Sequence, residues 1–170
     1  CSELFDSKFK VNTILVEEVV DIKSEIYLSV TVDPVSASFM IIACADGGVE
    51  IETLAVDSPD KIIREFVDPN SGLMPFQIKD IAFRLGMKGD VLKKFSSVLG
   101  KLYLAFLKND AELIEINPLF ITGTDDVIAG DGKLSIDDNS AYRQTSYEKT
   151  REYYDSDAEY ESALEGIPYL

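Results

Sequence analysis

LIEINPLFITGTDDVIAGDGKL, residues Leu113 to Leu134, reads as two short strands joined by a turn. Apolar Leu113, Ile114 and Ile116 surround polar Glu115 and Asn117, then come Pro118, a Gly-Thr-Asp-Asp turn, and a second strand from Val127 to Leu134. Residues two apart on a strand face the same side, so Glu115 and Asn117 share one face while Ile114 and Ile116 point into the core. Asp131 and Lys133 share a face of the second strand in the same way. Paired, the two strands bring three oxygen-bearing side chains and one ammonium to a single place. Hard oxygens suit a magnesium ion, most of whose remaining ligands are water and phosphate, and the ammonium suits the anion. The same pattern also fits a solvated polar face of an ordinary hairpin.

Composition narrows the class. With 170 residues, 46% of them hydrophobic, the chain can bury a proper core as one domain, or as one domain plus an appendage. A net charge of −15 with no basic stripe repels a phosphate backbone, which excludes a nucleic-acid binder. No apolar run reaches membrane-spanning length and no secretory signal pattern opens the chain, so no membrane association is expected. The two cysteines, Cys1 and Cys44, form neither a disulfide framework nor a zinc site and fit a reducing cytoplasm. Histidine is absent, so chemistry that needs an imidazole must borrow one from another chain. A first residue that is Cys rather than Met reads as a piece of a longer protein.

In chain order, Val11 to Glu17 is expected as a buried strand. Glu25 to Asp33 alternates, with Ile26, Leu28, Val30 and Val32 opposite Tyr27, Ser29 and Thr31. A turn at Asp33 to Ser36 leads to a third strand, Phe39 to Cys44, apolar on both sides and so central. Such sequential strands imply an antiparallel sheet. Asp46-Gly47-Gly48-Val49 is either a plain turn or a close approach of backbone to phosphate. A short helix from Glu50 to Val56 and a short strand from Lys61 to Val67 follow. Two helices come next: one with Ile78, Ile81, Ala82 and Leu85 on one face, ending at Gly86, and one capped by Asp90. The second carries a stripe of Val91, Phe95, Val98, Leu99, Leu102 and Phe106 up to Lys108. Both are expected to cover the sheet. After the hairpin, a short helix starts at Asp137, and a weak one spans Ala158 to Leu164 in a Tyr- and acid-rich tail.

Taken together, VNTILVEE, KSEIYLSVTVD, DGGVEIE, LIEINPL and GDGKLSIDDNSAYRQ, in this order, resemble the ATP-grasp region of the β subunit of succinyl-CoA synthetase, or succinate–CoA ligase, over Val11 to Gln144. The resemblance implies an α+β fold, the larger nucleotide-binding lobe of an ATP-grasp domain, with an antiparallel sheet covered by helices. It implies a domain over residues 1–145 without its upstream lobe, and an acidic linker over 146–170 towards an absent CoA-ligase domain. The family forms succinyl-CoA from succinate and CoA with ATP or GTP, through a phosphohistidine on an α subunit, which would be the partner; another acid–CoA ligase on the same scaffold, or a non-catalytic interaction module that keeps the fold, stays open beside it. Carried over, Asn117 and Asp131 fall on the magnesium ligands. Glu115 falls on a carboxylate near the phosphohistidine, or else supports the metal from behind. Glu17, Val20 and Glu25 fall on nucleotide-binding positions, Glu25 on the one that accepts from ribose hydroxyls. Lys133 either neutralises phosphate or pairs with Asp131. Asp46 stands where the family has glutamate before Gly-Gly, and Arg64 where it has lysine. The missing upstream lobe implies that the isolated piece folds but binds nucleotide weakly and turns nothing over.

Overall fold

In the computed structural model, residues 14–49, 51–145, 147, 151, 154 and 156–165 are described. Strands β1 (Ile22–Asp33), β2 (Ser38–Cys44), β3 (Ile63–Val67) and β4 (Ala111–Thr122) join β5 (Val127–Ala129) and β6 (Gly132–Ile136) in a six-stranded sheet. The strand order is β3-β2-β1-β4-β5, with β6 also paired to β4. Every pairing is antiparallel. Helix α1 (Ile51–Asp57) lies between β2 and β3, and helices α2 (Pro75–Arg84) and α3 (Gly89–Lys108) lie between β3 and β4.

The alternation in β1 sets the two faces. Ile26, Leu28 and Val30 pack with Ile41, Ala43, Ile63 and Val67 of the neighbouring strands against Ile81 and Ala82 of α2 and Phe95, Leu99, Leu102 and Phe106 of α3. The stripes at helical spacing in α2 and α3 are therefore core, and the two helices cover one side of the sheet. Glu25, Tyr27 and Ser29 lie on the other side by the same period of two.

On β4 the core-facing residues are Ile114 and Ile116, then Leu119 and Ile121. The step from even to odd positions reflects a shift in the β1–β4 register between Ile26 and Leu28. One extra residue in the strand turns every later side chain over. The irregularity sits at Asn117-Pro118, joined by a cis peptide bond. Proline cannot donate to a ladder, so a mid-strand proline belongs at a break of this kind.

Four expectations change. Ile14 to Glu17, the described part of the expected strand over Val11 to Glu17, is exposed and forms no strand, because no neighbouring strand among the described residues takes up its backbone groups. The second hairpin strand is not continuous: Gly130 and Asp131 separate β5 from β6. Asp90 does not cap α3. It lies inside the first turn, where its carboxylate bonds Lys93 at 2.8 Å, and Lys88 occupies the cap position. The expected short helix after Cys44 forms as Ile51–Asp57, while Glu50 lies outside the described residues.

Beyond β6, a 3₁₀ turn over Asp138–Arg143 is pinned to the start of β4. Arg143 donates to both oxygens of Asp110 at 2.7 Å, and Gln144 adds a third bond at 2.7 Å. Asp110 has φ 50, a left-handed conformation that aspartate tolerates better than most residues. The Arg143 guanidinium, then Gln144, hold the Asp110 carboxyl at about 2. Because the folded value lies below the ordinary 3.8, this pin is at full strength above that pH and is lost as pH falls through about 2. Arg143→Leu should move that loss up towards the ordinary value, which hydrogen exchange of the 138–145 amides between pH 2 and pH 4 will register. Downstream, Ser156 caps α4 (Asp157–Leu164) by accepting from the Glu159 amide at 3.1 Å. This is the weak tail helix, begun one residue earlier than its apolar residues suggest.

Candidate functional site

Across the break in β4, β5 and β6 keep one register with it, so that Glu115 lies opposite Lys133, Ile116 opposite Gly132 and Leu119 opposite Ala129. Asn117 accordingly faces Asp131, and its amide N–H donates to the Asp131 carbonyl at 3.2 Å. Pro118 faces Gly130, whose N–H reaches the Pro118 carbonyl at 2.9 Å. A side chain at Gly130 would run into the Phe120 ring and the Pro118 carbonyl, which is why glycine stands there. The break is thus matched on both strands. It leaves Asn117 and Asp131 paired while freeing both from the regular ladder.

The Asn117 side chain is gripped at both ends. Its Oδ1 accepts from the Gly48 amide at 2.9 Å, and its Nδ2 donates to the Val49 carbonyl at 3.2 Å. These bonds fold the Asp46–Val49 turn back over the sheet. Gly47 donates to the Glu25 carbonyl at 3.0 Å, and a Cβ there would lie 2.6 Å from the Ile26 backbone. Gly48 has φ 74, and a Cβ on it would collide with the Glu25 carboxylate. Gly47 is required by close approach to the β1 backbone, and Gly48 by its left-handed φ. That supplies a reason for the Gly-Gly pair without invoking phosphate.

Glu115 lies on the same face. Its Oε2 accepts from the Tyr27 hydroxyl at 2.8 Å, and it faces Ser29 across β1. Tyr27 and Ser29 are buried. Burial first, then the bond to Glu115 and its charge, hold the Tyr27 phenol above its ordinary range, so it stays a neutral donor. The Ser29 hydroxyl is buried beside that of Tyr27 and has no partner within hydrogen-bond geometry among the described residues. Lys133, exposed and opposite Glu115, makes no ion pair among the described residues, so it does not pair with Asp131.

The structure therefore sets Glu25 and Asn117 against the turn, with Asp131 opposite Asn117 and Glu115 two residues before it on β4. Glu17 and Val20 stay apart, on the segment that precedes β1. Asp46 pairs outward with Lys61 at 2.7 Å, and Arg64 is exposed on β3. Tyr27 and Ser29 were legible only as the polar half of an alternation, with nothing in the sequence to mark Tyr27 as the partner of Glu115.

The donor set suits a hard divalent cation. Asn117 Oδ1 has spent one of its two lone pairs on Gly48, and Asp131 has one oxygen on the Gly132 amide at 2.8 Å and the other uncommitted. Among the described residues no group of three or more cysteine and acidic side chains could hold a metal ion. A cation between Asn117 and Asp131 would thus have two protein ligands and take the others from water or phosphate, as magnesium does.

A sequence profile described as an ATP-grasp domain matches residues 6–121. The chain is 54% identical over 167 residues to the ADP-forming sulfoacetate-CoA ligase subunit SauC of Bilophila wadsworthia, covering 98% of this chain and 45% of that one. It is 45% identical over 148 residues to the β subunit of the ADP-forming succinate–CoA ligase of Thioalkalivibrio sulfidiphilus, covering 87% and 38%. Among solved structures, ATP citrate lyase from Methanothrix soehngenii in complex with citrate and coenzyme A superposes with a TM-score of 0.65 at 19% identity, over 87% of this chain and 34% of that one. That likeness is one of fold. The chain spans less than half the length of these relatives.

Proposed function

We propose a function from one premise: the chain belongs to the ATP-grasp family, over most of its length. It is the larger nucleotide-binding lobe in the β subunit of an ADP-forming acid–CoA ligase, a two-subunit enzyme whose α partner supplies the histidine this chain lacks. In the reaction, an imidazole nitrogen of the partner supplies the electron pair for a new nitrogen–phosphorus bond. The bond from the γ-phosphorus to the β–γ bridging oxygen breaks, and ADP leaves with that pair. An oxygen of the acid's carboxylate then takes the phosphoryl group from the imidazole. The CoA sulfur attacks the resulting acyl phosphate, phosphate departs, and the thiol proton passes to solvent.

Within that scheme Asn117 and Asp131 hold magnesium, which when bound neutralises phosphate charge. Lys133 lends a further positive charge, unpaired among the described residues. Glu25 takes the ribose hydroxyls. Glu115 charge-balances and orients the visiting imidazole. Glu17 and Val20 line the nucleotide from the segment before β1. Most of the catalysis is positioning and charge neutralisation. What supports the reading is that the backbones of Asn117 and Asp131 pair opposite one another at a matched strand break, in a chain of this family.

The acid is a small dianion. Identity of 54% to the sulfoacetate ligase subunit, against 45% to the succinate one, makes sulfoacetate the first candidate and succinate the second. The test is ADP release by the full-length ligase with MgATP, CoA and each acid in turn. Turnover of sulfoacetate at least tenfold above succinate is expected. The reverse ratio reassigns the substrate, and release with no small carboxylic acid removes the reading altogether.

A further inference from the structure

We infer that Tyr27 is a positioning residue for Glu115, fixing the direction in which that carboxylate meets the incoming imidazole. The inference rests on the reading of Glu115 proposed above.

The geometry begins with a sheet face on which most strand residues would be free to turn. Glu115 sits on β4 with its backbone held in the ladder against Ser29 on one side and Lys133 on the other. Its side chain still has three rotatable bonds, and a half-buried glutamate without a partner samples several rotamers. One hydrogen bond removes that freedom: the Tyr27 hydroxyl reaches Oε2 at 2.8 Å. Tyr27 is itself immobile, 2% exposed on the adjacent strand, so the donor arrives from a fixed point. Phenol to carboxylate is a charge-assisted bond. It occupies one oxygen of Glu115, and no hydrogen bond to the other is seen among the described residues.

A neutral donor is what the role demands. An ionised phenol would repel the carboxylate, and the buried Tyr27 remains protonated across the working range. The Ser29 hydroxyl also lies against the Tyr27 hydroxyl, but burial outweighs its effect on the phenol. A tyrosine used only to fill space would not require its hydroxyl to find a carboxylate on another strand. Here the apolar ring packs while the oxygen points at the one acidic group assigned to the phosphorylated imidazole.

The test uses the full-length ligase with its partner subunit, phosphorylated beforehand and discharged with MgADP in single turnovers. Tyr27→Phe keeps the ring and removes one oxygen. It should slow discharge about tenfold to a hundredfold, the range for one hydrogen bond to a charged group, with the KM for ADP unchanged and the variant still folded by circular dichroism. In a Glu115→Gln background the same change should add nothing further, since its effect passes through Glu115. Wild-type discharge by Tyr27→Phe beside slow Glu115→Gln overturns the inference and leaves the site reading standing. Equal slowing in both backgrounds also overturns it, because Tyr27 then acts by another route. Wild-type discharge by Glu115→Gln removes the site reading itself.

Discussion

Asp131→Ala should lower ATP-driven phosphorylation of the partner subunit about 10³-fold, the kinetic equivalent of the several kcal/mol a bound metal supplies to a phosphoryl transition state. Stability should hardly change. Asp131 is exposed, and among the described residues its carboxylate bonds only the neighbouring Gly132 amide, so the melting temperature should stay within the range of ordinary surface substitutions. Asn117→Ala should match the kinetic loss and add a structural one. Its amide holds both Gly48 and Val49, and losing those two bonds should cost about 1–3 kcal/mol. The pair of variants therefore separates ligation from scaffolding. Retention of a tenth or more of the rate by Asp131→Ala would remove the metal assignment.

The largest effect on folding should come from Phe95→Ala. Phe95 is fully buried at the middle of the α3 stripe, packed between that helix and the sheet. Truncation to alanine leaves a cavity that neighbouring strands cannot close, at a cost of about 3–5 kcal/mol. Whole domains are stable by only about 5–15 kcal/mol, so the variant should sit near the edge of folding. The urea midpoint of the purified chain, at unchanged slope, reads the loss. A shift equivalent to less than 1 kcal/mol would mean that α3 does not seat on the sheet through this residue.

Much of this architecture was legible because patterning and packing agree. The alternation of Ile26, Leu28 and Val30, and the helical stripe through Phe95 and Leu99, each has one burial solution, and the chain adopts it. Part of the candidate arrangement was legible: Glu115 and Asn117 lie two apart on β4, and the backbone of Asp131 pairs opposite Asn117. What pattern could not supply was the matched break at Asn117-Pro118 and Gly130-Asp131, since period-two reasoning carries one face through a strand and a bulge reverses it. Nor could local sequence show that Asn117 would spend its amide on a turn 69 residues away in the chain. Ile14 to Glu17 failed for the opposite reason: an apolar run is a strand only where a neighbour pairs with it, and among the described residues none does.

The turn over Gly47 and Gly48 touches Glu25 on one flank and Asn117 on the other. In the proposed assignment those two residues attend opposite ends of the same nucleotide, the sugar and the charged tail. A single stretch of main chain thereby acts as a gauge of fixed length between them. An insertion in this turn would lengthen the gauge and detune sugar and phosphate recognition together, so variation among relatives should spare its length even where the flanking acid changes.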